Sequence, residues 1–325
     1  MIAASPFPSL GIAVITHRAA ANLPHCLPPL LDAHARPRVL VVNSSSGDGT
    51  VELAKKMGAE VLVVPRNEFN HGTTRELARH VLGTDIVVMM TPDARPQNAD
   101  LLANLVRPVL QGVASVAYAR QVPHEEAGFF EAFPRSFNYP QNSEIRSIED
   151  MNRLGPGAFF CSNVCAAWSN SALDEIGGFS PTLSLEDVIA TARLLYAGHR
   201  IAYCADAVVA HSHRYSLAQE FRRHFDTGYV RAQQRRLLFT DSGDERRGAA
   251  YGTAMMGRLL RERPWLVPYG VAHLVTKYAG YRAGFHGHRL PHRMKRSLSG
   301  QDYYWQGWAS PPDSAVMQQQ PRVIT

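Results

Sequence analysis

Three carboxylates in this chain stand where chemistry could be done. The apolar run Ile86-Val87-Val88-Met89-Met90 stops at Thr91-Pro92-Asp93-Ala94. About ninety residues later, Leu185-Glu186-Asp187-Val188 opens an apolar-periodic segment, and Gly177-Gly178-Phe179 lies between the two. A buried strand that ends on a lone carboxylate presents it at the carboxyl edge of a sheet, where open α/β folds bind ligands. There Asp93 could ligate Mg²⁺ or Mn²⁺ together with diphosphate oxygens. A carboxylate pair at a helix start sits near the positive end of the dipole, and one member could serve as a base. Both features also have plainer readings. Pro-Asp is good turn chemistry, and an acid at a helix start contributes about a few tenths of a kcal/mol on its own.

Three further motifs have the right residue types. Val41 to Thr50, with Asn43, three serines and two glycines, follows an apolar run and would let backbone approach a ligand. It also reads as an ordinary strand-to-helix turn. Asn70-His71-Gly72-Thr73-Thr74-Arg75 puts a glycine at a helix start and an arginine on its first turn, where N–H groups and Arg75 could meet a phosphate. The plain alternative is a capped helix with a surface arginine. His211-Ser212-His213 places two imidazoles on one side of an extended chain, for a metal, a diphosphate, or nothing beyond structure.

The elements that would position these groups alternate. Strands are expected over residues 11–15, 39–42, 60–64, 86–90 and 115–118, with helices over 50–57 and 73–82, each stopped by a glycine. Short apolar runs alternating with helices argue for a parallel sheet covered on both faces. Residues 121–158 lack periodicity and read as a long functional loop. Residues 159–168 read as a strand broken by Ser162 and Asn163, 186–196 as a helix, and 200–204 as a short strand. From Ser216 the chain reads as helical, and beyond Ser310 as a polar, disordered tail.

Bulk composition narrows the class. With 45% hydrophobic and 19% charged residues the chain is an ordinary globular protein. Its four cysteines, Cys26, Cys161, Cys165 and Cys204, lack zinc spacing and read as reduced thiols of a cytosolic protein. The first ten residues have neither a basic stretch nor a long apolar core, so no signal peptide is expected, and no apolar run approaches the ~18 residues of a membrane span. Charge is uneven: residues 1–210 carry a net −4, residues 211–300 a net +11. The basic part interleaves Trp265, Tyr269, Tyr278, Tyr281 and Phe285 with arginines and lysines, which suits an anionic membrane surface or a helical cap with an aromatic core. No nucleic-acid-binding module is present.

In order, these motifs resemble family 2 glycosyltransferases, which have the GT-A fold. The resemblance covers residues 9–230 and extends more weakly to about 308. It is narrower, toward bacterial rhamnosyltransferases of O-antigen and exopolysaccharide assembly, at Phe69 to Arg75, Thr91-Pro92-Asp93-Ala94, Ser162-Asn163, Gly177-Gly178-Phe179, Glu186-Asp187 and His211 to Tyr215. It implies an α/β GT-A domain at 9–215 with a Rossmann-like, mostly parallel sheet. A helical, basic membrane-surface and acceptor segment would follow at 216–308, then a disordered tail at 309–325.

The resemblance also implies roles. Thr16, His17, Arg18, Asn43, Gly72, Arg75 and Asp93 would bind the donor, and Asp93, with His213, a Mg²⁺ or Mn²⁺ ion. Gly178 and Phe179 would border the sugar and acceptor pocket. Asp187 would be the catalytic base, with Glu186 beside it. Two residues depart from the family pattern: Asn43 replaces an acid that contacts the base, and Thr91 replaces the first acid of Asp-x-Asp. The expected reaction is inverting transfer of L-rhamnose from dTDP-β-L-rhamnose to a polyprenyl-diphosphate-linked glycan, by an enzyme peripheral to the inner face of the cytoplasmic membrane. Three alternatives stand beside it. One is the use of another nucleotide sugar. A nucleotidyltransferase would want a Gly-rich basic loop where Thr16 to Ala20 stands. A non-catalytic donor-binding scaffold is the third. A dehydrogenase is disfavoured because no GxGxxG follows a strand.

Overall fold

The computed structural model describes residues 8–238 and 243–307, leaving aside the side chains of 243–245. The tail expected at 309–325 lies outside the described residues. Nine strands form one sheet: β1 (Leu10–Thr16), β2 (Arg38–Asn43), β3 (Glu60–Val63), β4 (Ile86–Met90), β5 (Arg95–Pro96), β6 (Val116–Val122), β7 (Glu144–Arg146), β8 (Cys165–Ser169) and β9 (Ile201–Ala210). The order is β3-β2-β1-β4-β8-β6-β9-β5, with β7 also on the β9 edge. The β1, β2, β3 and β4 strands are mutually parallel, and β6 is parallel to β9; β8 runs antiparallel between β4 and β6.

Alternate residues of each inner strand feed different cores. Ala13, Ile15, Leu40, Val42, Val87 and Met89 belong to one core, while Ile12, Val14, Val39, Val41, Val88 and Met90 belong to the other. Side chains on a strand alternate faces, so burial on both faces requires the unbroken apolar runs seen in the sequence. The four cysteines are free and buried.

Two antiparallel pairings bring distant residues to one edge. Met90 at the end of β4 pairs with Cys165 at the start of β8, so Thr91 N–H donates to Val164 O at 3.1 Å. That sets Asn163 beside the loop carrying Asp93. Arg95 in turn pairs with Ala210, so the chain before Arg95 faces the chain after Ala210. Asp93 thereby meets His211 and His213.

Some expectations need correction. Residues 121–158 are not one loop. They contain the end of β6, a helix at Phe129–Asn138, β7, and the short turns of helix Ile148–Asp150, Met151–Leu154 and Gly155–Phe159. Phe129, Phe133 and Phe137 fall at helical spacing, and Phe129 stacks on Phe133; the interior Pro134 obscured that period. The strand expected from residue 159 starts only at Cys165, because Gly155–Phe159 is a 3₁₀ turn. β9 runs unbroken from 201 to 210, with a register shift against β6 between Ala119 and Arg120.

After β9 the described chain is helical: Leu217–Gln233, Gly243–Glu262 and Val267–Phe285 are its long helices. Ser216 and Gln219 form a reciprocal capping box that starts the first of them. The helical part does not end apart from the sheet domain. Asp226 accepts the Gly300 N–H at 2.9 Å, and Tyr303 returns to the first half of the chain, where its hydroxyl meets His71 Nε2 at 3.1 Å. Among the described residues, no helix is long and apolar enough to cross a membrane.

Candidate active site

The acid pair begins the helix Glu186–Tyr196. Its N-cap, Leu185, holds φ +61°, a left-handed conformation unusual for a branched side chain. Strain of this kind marks positions that the surroundings over-determine. Asp187 is held by two backbone donors: Asn163 N–H to Oδ2 at 3.0 Å and Val188 N–H to Oδ1 at 2.8 Å. Glu186 is buried. It accepts from Asn163 Nδ2 at 3.1 Å and pairs with Arg75 Nη1 at 3.2 Å. Asn163 thus bonds both acids while its Oδ1 accepts the Trp168 indole N–H at 2.9 Å.

The two acids are pushed apart in acidity. Burial raises Glu186, but the charges of Arg75 and His71 and the Asn163 bond outweigh it and hold the carboxyl below its usual range. Burial and then the Glu186 charge push Asp187 up to about 7, against the two backbone donors. A pair split in this way assigns roles: Glu186 stays ionised, and Asp187 can exchange a proton near neutrality.

Asp93, His211 and His213 form a second cluster, with one ligand-capable atom from each lying within 4.8 Å of the others. Asp93 Oδ2 is 3.1 Å from His213 Nε2 and 3.5 Å from His211 Nε2. His211 Nδ1 lies 2.9 Å from Gln121 Oε1. Arg135 Nη2 also lies 3.2 Å from this Nδ1, and a proton on Nε2 can be donated to Asp93. Burial lowers the pKa of both imidazoles, His213 to about 4, so both are neutral at neutral pH. A neutral imidazole can turn one ring-nitrogen lone pair toward a cation. Asp93 Oδ1 and Thr91 Oγ1 are buried without hydrogen-bond partners. The donor set therefore fits a divalent cation, and its two imidazoles suit Mn²⁺ better than Mg²⁺, which prefers oxygen ligands.

The carboxyl ends of β1 and β2 carry the third group. Thr16 Oγ1 donates to Val42 O at 3.0 Å, and Asn43 Nδ2 donates to Ser46 Oγ at 2.8 Å. Asn43 Oδ1 accepts the Ser46 N–H at 2.8 Å, so its amide is engaged in shaping the turn. Ser44 Oγ touches His17 Nδ1 at 3.1 Å and accepts from Arg66 Nη1 at 3.1 Å. The Arg66 guanidinium lies 3.9 Å from the centre of the Tyr303 ring; among the described residues no carboxylate is within ion-pair distance of it, and Asp302 acts on it from farther away.

Comparison with known proteins fits this arrangement. The sequence profile described as Glycosyl transferase family 2 matches residues 11–177. The chain belongs to glycosyl transferase family 2. It is 32% identical over 300 residues to the O-antigen chain rhamnosyltransferase RfbN of Salmonella typhimurium, covering 91% of this chain and 96% of that protein. It is 33% identical over 270 residues to the O-antigen chain rhamnosyltransferase WbaN of Salmonella anatum, covering 82% and 86%. Among solved structures, it is similar to the mannosyltransferase PcManGT from Pyrobaculum calidifontis in complex with GDP-Man and Mn²⁺: TM-score 0.60, 16% identity, 87% of this chain and 88% of that one. S. aureus TarS 1-349 in complex with UDP-GlcNAc gives TM-score 0.53 at 12% identity, covering 91% and 89%. The fold is GT-A, and this family 2 member is a glycosyltransferase.

Within this glycosyltransferase the expected site residues fall into three groups. Asp93, His213, Glu186 and Asp187 lie in the two clusters, with His211 joining Asp93 and His213. Thr16, His17, Arg18 and Asn43 lie together at the ends of β1 and β2, Arg18 exposed and at positive φ. The remaining four have other partners than those expected. Arg75 is buried and donates to Glu186 and to His71 O; it does not stand open toward a diphosphate. Gly72 packs so tightly that a Cβ there would overlap the Ser180 carbonyl, and Asn70 Oδ1 already caps the N–H groups of Gly72 and Thr73. Gly178, at φ +69°, lets the chain pass the Glu76 carboxylate, which accepts the Phe179 N–H at 2.8 Å. The Phe179 ring is core, 5.0 Å from Trp168. Sequence reasoning missed Arg66 and Tyr303 altogether. Asn163 had two signals, a polar residue interrupting an apolar run and its place among the segments of the family resemblance, but no role was drawn from either.

Proposed function

We propose that this glycosyltransferase transfers L-rhamnose, with inversion, from dTDP-β-L-rhamnose to a polyprenyl-diphosphate-linked glycan in O-antigen-type assembly. It would act peripherally at the inner face of the cytoplasmic membrane. The sugar and the pathway rest on the two rhamnosyltransferase relatives. The chemistry rests on one observation: Asp187, held by Asn163 and Val188, is raised to about 7 beside an ionised Glu186.

In this reading Asp187 accepts the proton of the acceptor hydroxyl as its oxygen attacks the anomeric carbon. The bond from that carbon to the diphosphate oxygen breaks on the opposite face, and the electron pair leaves with dTDP. Glu186, neutralised by Arg75, keeps Asp187 basic without reaching the reacting atoms. Arg66 meets negative charge on the donor. A divalent ion held by Asp93, His211 and His213 would offset charge on the departing diphosphate.

The test follows dTDP release between pH 5 and 9 with a panel of nucleotide sugars and a lipid-linked acceptor. With dTDP-rhamnose, kcat should climb through about pH 7 as Asp187 loses its proton. Asp187→Asn should lower turnover about 10²-fold or more while leaving dTDP affinity within about threefold. Near-normal turnover in that variant removes Asp187 from the role, and faster turnover of a different donor replaces rhamnose.

A further inference from the structure

The helix Val267–Phe285 is built inside out for water. Two of its polar side chains face inward: His273 Nε2 lies 3.4 Å from Glu220 Oε1, and Lys277 Nζ lies 4.0 Å from Glu220 Oε2, with Glu220 on the neighbouring helix Leu217–Gln233. Gly280 and Gly284 face inward too. A Cβ at Gly280 or Gly284 would overlap the backbone carbonyl of Phe221 or Phe225, so the two helices cross in close contact. The bulk faces outward. Val271, Val275 and Tyr278, at i, i+4 and i+7, are 49%, 61% and 59% exposed. Trp265, in the turn before, is 70% exposed, and Leu260, ending the previous helix, 61%. An exposed helix face in water is ordinarily polar, yet between Arg263 and Arg282 this one carries no charge.

Basic residues frame this apolar face. Arg261 and Arg263 precede it, and Arg289, Arg293 and Arg296 follow it, all exposed. Between residues 246 and 300 the one acid is Glu262, which is paired with Arg258 at 2.9 Å. An apolar stripe on a helix about 28 Å long, with arginines at both ends and aromatic side chains within it, matches an interfacial helix. Its charge is complementary to acidic headgroups. We propose that this face lies flat in the headgroup layer of an anionic bilayer, with Trp265 and Tyr278 as anchors.

The placement follows through to the active site. Tyr269 and His273 of this helix touch Phe130, at 4.8 and 5.0 Å between rings. Phe130 belongs to the helix Phe129–Asn138, whose Arg135 donates to His211 O at 2.6 Å. Two packed helices, this one and Phe129–Asn138, therefore connect the proposed bilayer face to the Asp93 cluster, which suits an acceptor whose diphosphate is tethered to lipid. That advantage rests on the reading of the acceptor as lipid-linked; the surface itself does not.

The experiment uses the full chain and sedimentation with vesicles of phosphatidylcholine, with and without phosphatidylglycerol. The wild type should bind the anionic vesicles, and binding should weaken with salt. Val275→Asp/Tyr278→Asp, at exposed sites, should reduce partitioning at least tenfold. Arg289→Glu/Arg293→Glu/Arg296→Glu, which leaves the apolar face intact, should do the same on anionic vesicles only. dTDP binding, measured on the same samples, should not change. A wild type that ignores vesicles, or variants that bind as it does, overturns the proposal. So does equal binding to neutral and anionic vesicles, or a concentration-dependent dimer that Val275→Asp/Tyr278→Asp dissolves, since the face would then pair with a second copy. A protein that binds vesicles but no nucleotide leaves this surface standing and sinks the proposed function instead.

Discussion

Replacing Arg75 with methionine separates two roles that the sequence alone leaves entangled. In the structure Arg75 and Glu186 are 5% and 7% exposed and lie 3.2 Å apart. Taking away the arginine leaves a buried carboxylate without its counter-charge. Breaking a buried pair from one side costs about 3–5 kcal/mol. At an unfolding entropy of ~2.1 cal/mol/K per residue, a cooperative chain of 325 residues loses about 0.7 kcal/mol per degree near its midpoint. The melting temperature should then fall by about 4–7 °C. Thermal unfolding of the ligand-free protein at pH 7.5 reads this directly. Arg75→Met/Glu186→Gln should recover at least half of the loss, because neither buried charge remains. At 15 °C, with the single variant folded, dTDP affinity should stay within about threefold of wild type. A melting temperature within about 1 °C of wild type, joined to a tenfold loss of dTDP affinity, would refute this. Arg75 would then be a phosphate ligand, and the pairing with Glu186 incidental.

Arg66→Ala should weaken dTDP binding by about tenfold or more, the scale of a hydrogen bond to a charged group, without changing the circular dichroism spectrum; an unaltered Kd sends the donor's charge to other residues. Mn²⁺ should support turnover better than Mg²⁺, and Asp93→Ala or His213→Ala should abolish Mn²⁺ binding measured by electron paramagnetic resonance, whereas indifference of both binding and turnover to a chelator would make the site metal-independent. Asp226 gives a pH signature. Burial pushes its carboxyl up to about 7, above the ~3.9 of an unfolded chain, so between these values the folded state binds more protons and stability falls as pH rises. Asp226→Asn should therefore be more stable than wild type at pH 8, by up to about 4 kcal/mol, with the difference gone below pH 4; a pH-independent difference would deny the buried acid.

The parts of this enzyme that could be read from its sequence are local ones. An apolar run ending at Asp93, and acids opening a periodic helix at Glu186, are patterns a few residues long, and both elements lie where expected. So do β1 to β4, because burial on both faces demands continuous apolar strands. What a side chain meets across the fold is set by pairings of distant segments. Arg75 sits on a helix start, as anticipated, but its partner is decided by where the β8 region and Leu185 place Glu186. Asn163 bonds both acids only because β8 runs antiparallel to β4. Arg66 carried no local mark at all, since the ring that supports it comes from Tyr303.

That last contact ties the two halves of the molecule together. Tyr303 and His71 are 232 positions apart, and closing a loop of that length costs chain entropy that only a largely folded protein can offset. Arg66 and His71 take their partner from the far end of the described chain, where Asp226 clamps Gly300. A chain cut before Tyr303 keeps the residues of both acid clusters but loses the ring beside Arg66 and the hydroxyl that meets His71.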